Sequence, residues 1–336
     1  MLLFGSFSRD ETLLIWRHID RKPEPIPNST SLFPCFEALV NLDESGTEFT
    51  NVKGIINQGN TCYQNAVIQS LFYCPVFARL LQDLKSPPRS TLWGSLVYFY
   101  ESPLLHTIPT CLSFSKNRNE QQDAQEYLDF LLNALHEEYM NHNCGSIPLD
   151  HYFWSNNKRH IDAQSPVTRI FNGLIQSEIQ RPGSVANTEA FQCIHLDCSG
   201  VDDSIEASVD RWSRDSVVTI NNRNFVRKTK VLVWPTTLVF HLKRFTITNR
   251  ATNSIKKLTT NMAFDKNLCV DRRTRYNLVA LVLHSGKEAC RGHYRAIVRM
   301  PDDTWLLFDD ARTPAVINDV ESYQSQVYLL FYNKVL

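Results

Sequence analysis

The chain has 336 residues, and its 35 basic and 35 acidic side chains cancel. Hydrophobic residues make up 43% and charged residues 21%, the balance of a globular protein. The cancelled charge argues against nucleic-acid binding, and the longest apolar runs, Leu278–Leu283 and Val327–Tyr332, are too short to span a bilayer. We therefore expect neither a nucleic-acid partner nor a membrane partner.

The first 52 residues differ in composition from the rest. Three prolines occur at 23, 25 and 27, and no export signal is visible before them. Nine irregularly spaced cysteines favour reduced thiols, so we expect a cytoplasmic or nuclear protein. We predict that residues 1–52 form an N-terminal extension, which is a candidate segment for binding a regulatory partner.

Cys62 follows a polar, glycine-containing loop and precedes apolar residues at helical spacing. This pattern predicts a cysteine at a helix N-terminus, where backbone N–H groups and the helix dipole favour a thiolate. Cys62 is therefore a candidate nucleophile, and the side-chain amide of Asn57 is a candidate hydrogen-bond donor to an oxyanion. The alternative is that Cys62 is a small core residue and Asn57 an ordinary turn residue.

Residues 121–139 have apolar side chains at intervals of three and four, which predicts a helix with one buried stripe. Asp123 and Glu126 lie off that stripe, one turn apart near the predicted N-terminus. They predict a pair of carboxylates on a neighbouring side of the helix. The alternative is two solvated carboxylates that stabilise the helix N-terminus.

From about residue 230 the apolar period changes to two, which predicts a sheet. Residues 145–229 follow no clear pattern. A helical lobe followed by a sheet-rich lobe indicates an α+β fold with a cleft between the lobes.

The C-terminal sheet offers a base for the cysteine. Gly292 and His293 open a predicted strand over 294–298, and the next predicted strand, 305–308, ends at Asp309 and Asp310. If these strands pair as a hairpin, one of the two carboxylates faces the imidazole and orients it. A surface histidine beside a solvated acidic turn is the alternative.

Two other histidines compete for the role of base by residue type. His284 ends the strand 278–283, and His241 lies inside the strand 238–245. Neither is followed by a carboxylate at hairpin distance, so we favour His293.

Together these segments resemble the ubiquitin-specific proteases, the papain-like cysteine deubiquitinases. The resemblance rests on motifs in the family's order: GIINQGNTCY at 54–63, QQDAQEYL at 121–128, FHLKRF at 240–245, and HSG at 284–286 with GHY at 292–294 and FDD at 308–310. It implies a catalytic domain over 53–336, with a helical thumb over about 53–165, fingers over about 166–235 and a palm over about 236–336.

The resemblance also implies roles for the candidate residues. Cys62 attacks, His293 transfers the proton and Asp309 orients the imidazole. Asn57 takes the family's oxyanion position, and Asp310 is a secondary carboxylate that assists polarisation or replaces Asp309.

By the same resemblance the substrate is ubiquitin joined to other proteins, and no cofactor is needed. Asp123 and Glu126 are expected to pair with the arginines of ubiquitin's tail. Gly292 and Tyr294 are expected to line a channel too narrow for side chains larger than glycine. A catalytically silent ubiquitin-binding scaffold and a protease for a ubiquitin-like modifier are the alternatives.

One departure from the family concerns zinc. Many relatives hold a zinc ion in the fingers with two C-x2-C pairs, whereas this chain has only Cys193 and Cys198 there, with His195 between them. We therefore expect no structural zinc.

Overall fold

The computed structural model describes residues 52–84, 87–102, 107–114, 121–143, 165–198, 203–249, 254–271, 273–288 and 291–335. The predicted N-terminal extension, apart from its last residue, lies outside these ranges. Among the described residues, no helix is both long enough and apolar enough to cross a membrane.

The thumb consists of helices that pack around α1. The thumb helices are α1 (Cys62–Phe72), α2 (Pro75–Asp83), α3 (Leu92–Glu101), α4 (Ala124–Asn143) and α5 (Pro166–Phe171). A further helix, α6 (Ile205–Ser213), lies outside the thumb and packs in a second hydrophobic core. Short 3-10 turns cover Thr110–Leu112 and Glu321–Tyr323. Every residue of α1 is buried, because α4 lies on one side of it and the palm strands lie on the other. The residue at the start of α1 is therefore held from several directions.

The helix predicted to begin at Gln121 begins at Ala124 instead. Asp123 ends the preceding extended segment, and its carboxylate accepts the backbone N–H of Gln125 at 2.7 Å. An aspartate in this position satisfies an N–H group that has no partner within the helix, so it sets where the helix starts.

The strands carry the rest of the fold. In chain order they are β1 (Gly173–Ile179), β2 (Asn187–Phe191), β3 (Cys193–Asp197), β4 (Asp203–Ser204), β5 (Ser216–Ile220), β6 (Arg223–Val233), β7 (Thr237–Lys243), β8 (Phe245–Asn249), β9 (Ser254–Lys257), β10 (Met262–Ala263), β11 (Asn267–Cys269), β12 (Arg275–Glu288), β13 (Arg291–Arg299), β14 (Trp305–Phe308), β15 (Ala315–Ile317) and β16 (Val327–Lys334).

The palm is a sheet in the order β15-β14-β13-β12-β16-β7-β3, with β11 paired to β12. Only its β3–β7 pair is parallel. β3 lies inside the range predicted for the fingers but joins this sheet. The fingers are an antiparallel sheet in the order β2-β1-β6-β5. The shorter pairs β4–β10 and β8–β9 complete the described strands.

Both faces of the palm sheet are buried, each in its own hydrophobic core. Along β12, Val282 packs in the core shared with the thumb, while Leu281 and Leu283 pack in the core on the opposite face. A strand covered on both faces needs apolar side chains at every position rather than at alternate ones. This explains why the segments 278–283 and 327–332 are continuously apolar.

Candidate active site

Cys62 is the first residue of α1, as the sequence predicted. The hydroxyl of the preceding residue, Thr61, accepts the backbone N–H of Gln58 at 3.0 Å and does not cap the helix. The first-turn N–H groups and the positive end of the helix dipole therefore act on the thiol and favour negative charge there. The Cys62 residue is 4% exposed, so its sulfur is largely shielded from water.

His293 lies against this thiol from the palm. Its Nε2 is 2.5 Å from Asp309 Oδ1, and its ring also hydrogen-bonds the Cys62 side chain. Because an ionised carboxylate only accepts, Nε2 is the donor in the first of these bonds. The bond to Cys62 is the main cause that raises the pKa of His293 to about 9, and the bond to Asp309 adds to it against the effect of burial.

The hairpin that brings Asp309 to His293 forms as the sequence predicted. β13 pairs with β14, and Ala296 lies opposite Phe308, the last residue of β14. β13 begins at Arg291, earlier than predicted, so His293 lies within the strand rather than before it. The second oxygen of Asp309 accepts a bond from Arg312 at 2.8 Å, which fixes the carboxylate from the side away from the imidazole.

The Asp310 carboxylate hydrogen-bonds side-chain amides rather than the His293 imidazole. Its Oδ2 accepts Asn57 Nδ2 at 2.9 Å, and its Oδ1 accepts Asn65 Nδ2 at 2.8 Å. Its backbone φ of 51° turns this carboxylate away from the direction taken by Asp309. Both Asp310 oxygens thus bind thumb amides in this structure, and the role of Asp310 as a carboxylate that assists or replaces Asp309 stays a prediction.

The loop before Cys62 is fastened to the palm at Asp310. The backbone N–H of Ile55 donates to the Asp310 carbonyl at 2.9 Å. A Cβ on Gly54 would lie 2.2 Å from that same carbonyl oxygen, so only glycine permits this approach. Gly54 thus allows the backbones of the two lobes to come into contact.

Asn57 is oriented at both ends of its side-chain amide. Its Oδ1 accepts the backbone N–H and the hydroxyl of Thr61, at 3.1 and 3.2 Å, while its Nδ2 donates to Asp310. An amide nitrogen carries two hydrogens, so one remains for a further acceptor. The arrangement has the donor type that an oxyanion requires, and the oxyanion role remains a prediction.

An open depression of about 470 Å³ adjoins the triad between these two loops. Ile56 and Asn57 line one side, Asp309 and Arg312 the other, and His293 lies between them. It leaves open space beside the imidazole.

The predicted substrate-binding carboxylates take different positions. Asp123 is the residue before α4, and it accepts a hydrogen bond from the hydroxyl of Tyr328. Burial raises the pKa of Asp123 despite these hydrogen bonds. Glu126 is exposed on the first turn of α4, where burial and the charge of Asp123 raise its pKa. Glu126 is therefore free to meet a ligand, whereas the Asp123 carboxylate serves the fold as well.

Gly292 and Tyr294 do not line an open channel together. Tyr294 is 1% exposed, and its ring packs 4.6 Å from that of His284. Gly292 lies over this buried pair, and a Cβ there would be 2.1 Å from His284 Nε2. β-strand alternation turns the Tyr294 side chain inward in this conformation, and its place beside the substrate tail stays a prediction.

The competing histidines have other surroundings. His284 is fully buried, and burial lowers its pKa to about 3. His241 Nδ1 lies 2.8 Å from His195 Nδ1, and burial likewise lowers the pKa of His241 to about 3. Of the three, His293 is the one that hydrogen-bonds Cys62.

Two groups of residues invite comparison with metal sites. Ligand atoms of His293, Asp309 and Asp310 lie within 4.8 Å of one another, but Cys62, Arg312 and the two asparagine amides already bind them. In the fingers region, Cys193 packs against the core on the thumb side of the palm sheet, whereas Cys198 is buried in the other core. The two thiols therefore do not face each other as a zinc pair.

Sequence reasoning missed roles for Gln121 and Asn65, although both belong to the motifs. Gln121 bonds Gly292 across the cleft, and Asn65 bonds Asp310 from the first turn of α1. A buried amide one turn after the nucleophile was the available signal for Asn65. Nothing local marked Gln121.

The sequence of this chain is similar to those of known proteins. A family model described as ubiquitin carboxyl-terminal hydrolase matches residues 53–332. The Rattus norvegicus protein named ubiquitin carboxyl-terminal hydrolase 10 is 26% identical, over 84% of this chain and 48% of that protein. The Arabidopsis thaliana protein named ubiquitin carboxyl-terminal hydrolase 24 is 24% identical, over 84% of this chain and 64% of its own length. The chain thus spans less than two thirds of either relative.

Solved structures agree at the level of the fold. The SAGA Ubp8/Sgf11/Sus1/Sgf73 DUB module bound to ubiquitin aldehyde matches with a TM-score of 0.67 and 22% identity. The match covers 87% of this chain and 71% of that one. The helical lobe, the palm sheet and the fingers are therefore an arrangement already seen in a solved protein.

Proposed function

Because this chain belongs to the ubiquitin carboxyl-terminal hydrolase family, we propose that it is a thiol-dependent deubiquitinase. It hydrolyses isopeptide or peptide bonds at the C-terminal glycine of ubiquitin. The observation that carries this proposal is the hydrogen-bonded series Cys62–His293–Asp309 at the start of α1. A nucleophile, its base and the residue that orients the base are the parts that such catalysis needs.

The first half of the reaction forms an acyl-enzyme. The Cys62 thiolate attacks the carbonyl carbon of ubiquitin's last glycine, and the carbonyl electrons move to oxygen. The second hydrogen of Asn57 Nδ2 and first-turn N–H groups of α1 stabilise this oxyanion. When the oxyanion collapses, the C–N bond breaks and the His293 imidazolium gives its proton to the departing amine. A thioester on Cys62 remains.

The second half restores the enzyme. The now neutral His293 accepts a proton from a water molecule, whose oxygen attacks the thioester carbon. Collapse of this second oxyanion releases the ubiquitin carboxylic acid, which gives its proton to solvent, and the Cys62 thiolate, and His293 again carries the proton taken from water. Asp309 holds the ring through Nε2 in both halves, so the opposite ring nitrogen faces the reacting atoms.

Recognition of the tail is proposed at the start of α4. The basic tail of ubiquitin approaches Glu126, with the charge of Asp123 behind it, and its glycines pass Gly292. Exposed carboxylates attract arginines with geometric selectivity because the guanidinium binds both oxygens. Ubiquitin and its conjugates are thus the proposed partners.

The test uses ubiquitin that carries an electrophile at its C-terminus. We expect one covalent adduct on the wild-type chain and none on Cys62→Ala, with His293→Ala strongly slowed. Cys111→Ala is the matched control, because Cys111 is an exposed free cysteine and its loss should leave the adduct intact. Absence of an adduct on the wild type would contradict the proposal. An adduct formed only with a ubiquitin-like probe would assign the enzyme to that modifier.

A further inference from the structure

Gln121 joins the two lobes at the point where the nucleophile and the base meet. Its Oε1 accepts the backbone N–H of Gly292 at 2.8 Å, and its Nε2 donates to the Gly292 carbonyl at 2.8 Å. The same Nε2 is 3.5 Å from Cys62 Sγ. One planar amide therefore contacts the sulfur and the residue before His293.

The bonds to Gly292 lie at an irregularity in the pairing of palm strands β12 and β13. β12 and β13 pair at Ser285 with His293 and at Glu288 with Arg291, and the register shifts between these two pairs. Gly292 lies in that irregularity, where a strand residue loses its regular partner. Gln121 bonds both main-chain groups of Gly292, as the facing residue of an antiparallel strand would.

This placement controls the backbone that carries the base. His293 follows Gly292 directly, so fixing both main-chain groups of Gly292 sets the direction from which the imidazole leaves the strand. Gly292 also lies close against the sheet, because a Cβ built on it would be 2.6 Å from the Ser285 carbonyl oxygen and nearer still to His284, so no larger residue fits there. The base is held by packing on one side and by Gln121 on the other.

The contact with sulfur has a chemical consequence. An amide nitrogen donates two hydrogens, so Nε2 can bond the Gly292 carbonyl and direct its second hydrogen to Cys62. A hydrogen bond to the charged form of a group favours that form. Gln121 thus favours the thiolate and gives it a fixed position relative to His293.

We propose that Gln121 is a positioning residue, which aligns His293 with Cys62 through Gly292 and stabilises the Cys62 thiolate. This inference rests on the proposed role of Cys62 as nucleophile. It assigns to the segment before α4 a function separate from recognition of the tail by Glu126.

The decisive variant is Gln121→Glu in the full chain. Glutamate has the same shape and still accepts the Gly292 N–H, but it places a carboxylate oxygen where Nε2 faces the Gly292 carbonyl and the sulfur. Gln122→Glu adds the same charge one residue along and is the matched control. Gln121→Met removes donor and acceptor without adding charge, and thermal unfolding of all variants reports whether they fold.

The measurement is the rate of Cys62 alkylation by iodoacetamide as a function of pH, followed by mass spectrometry of the peptide that contains Cys62. This small reagent does not depend on ubiquitin binding. For Gln121→Glu we expect roughly tenfold slower alkylation at pH 7 and a profile moved to higher pH by about one unit, the size of one lost hydrogen bond to a charged group. Gln121→Met should move in the same direction by less.

Turnover of a fluorogenic ubiquitin amide gives the second readout. For Gln121→Met we expect kcat to fall with KM nearly unchanged, because the substrate-binding carboxylate of Glu126 is intact. If Gln121→Glu and Gln122→Glu have the same alkylation profile while wild-type Cys62 is reactive, the role of Gln121 is overturned. If wild-type Cys62 reacts no faster than the exposed Cys111, the proposed nucleophile itself fails.

Discussion

His293 is a stronger base than an ordinary histidine because its two hydrogen-bond partners both favour the protonated ring. Its pKa rises from 6.5 to about 9, chiefly through Cys62 and further through Asp309. At neutral pH the imidazole therefore carries its proton before substrate arrives. The residue begins the proposed reaction as the acid that the departing amine will need.

This predicts a descending alkaline limb in the rate profile. As pH rises through about 9, His293 loses its proton and kcat/KM on a fluorogenic ubiquitin amide should fall. Asp309→Asn removes a carboxylate partner, so the His293 pKa should drop and the limb should move to lower pH. NMR titration of the His293 C2 proton checks both, and a wild-type midpoint at or below 6.5 would contradict the assignment.

Asp310 gives a second prediction at the scale of single residues. Asparagine tolerates its positive φ, so Asp310→Asn keeps the backbone but turns an NH2 group toward the amide of either Asn57 or Asn65. We expect kcat to fall on the order of tenfold through misplacement of the oxyanion donor, with little change in KM. Steady-state kinetics on the fluorogenic amide measures both constants.

Asp303→Asn is the matched control for that variant. Asp303 also has a positive φ, of 65°, but its side chain is 74% exposed in a turn where it pairs with Arg299. Its substitution should leave turnover unchanged. Equal kinetics for the two variants would show that Asp310 does not position the oxyanion donor.

Residue patterns indicated the proposed triad because each of its members follows a recognisable local pattern. Cys62 lies at a loop-to-helix junction and Asp309 follows a strand at hairpin distance from His293. The sequence left open which of Asp309 and Asp310 orients the imidazole, because adjacent residues differ only in the direction that the backbone gives their side chains. Gln121 was missed because its partners, Gly292 and Cys62, are remote in sequence.

At the scale of elements, helix α4 holds an ionisable carboxyl group, that of Asp129, in a partly buried position. Asp129 lies one turn after Glu126 and has a pKa raised from 3.8 to about 6, first by burial and then by the neighbouring carboxylates, although Gln125 donates a hydrogen bond to it. Ionised Asp129 therefore lowers the stability of the folded chain. The free energy of unfolding should therefore depend on pH.

Asp129→Asn tests this cost. The folded-state pKa exceeds 3.8, so the folded chain binds more protons than the unfolded chain between these two pKa values, and stability falls as pH rises through about 6. Asparagine has no such dependence and still accepts from Gln125. Denaturant unfolding should show the variant more stable at pH 7.5 by on the order of 1 kcal/mol, with the difference gone near pH 4.

Asp265→Asn removes an exposed carboxylate outside α4 and serves as the control. Its stability should follow that of the wild type across the same pH range. A destabilised Asp129→Asn at pH 7.5 would show that the charge of Asp129 is satisfied in the folded protein.

At the scale of the whole molecule, Arg244 fastens the palm sheet to the segments beside it. It is fully buried and has no carboxylate among its described partners. Its guanidinium donates instead to backbone carbonyls of Val327 at 2.5 Å, Gln324 at 2.6 Å, Thr260 at 2.8 Å and Leu258 at 3.1 Å. One side chain thus completes hydrogen bonding for two irregular stretches of the chain.

Arg244→Met should leave those carbonyls buried without donors. We expect a loss of roughly 3 kcal/mol or more in the free energy of unfolding, measured with urea. Arg244→Lys should recover little, since an ammonium cannot reproduce the spread of a planar guanidinium. Arg223→Met, on an exposed position of β6, is the control, and equal losses for both methionine variants would contradict this role.

The sequence predicted the α+β class and the order of lobes, because helical and strand periods are separated along the chain. It did not predict that β3 leaves the fingers range to pair in parallel with β7. That pairing is decided by which palm edge is open, and no local period records it. The fingers were the hardest part to assign for a related reason: β6 is mostly exposed, so burial does not impose a strong pattern on it.

The order of strands in the palm differs from the order in which a ribosome makes them. β16, the last of these strands to be synthesised, lies between β12 and β7 in the finished sheet. In a nascent chain that has not yet reached Val327, those two strands therefore lack their shared neighbour. Asn57 likewise lacks its hydrogen-bond partner Asp310 until the chain has grown by 253 residues. The proposed nucleophile Cys62 thus leaves the ribosome before the palm residues that surround it in the folded chain. We therefore expect the proposed peptidase activity to arise only after the palm has been synthesised.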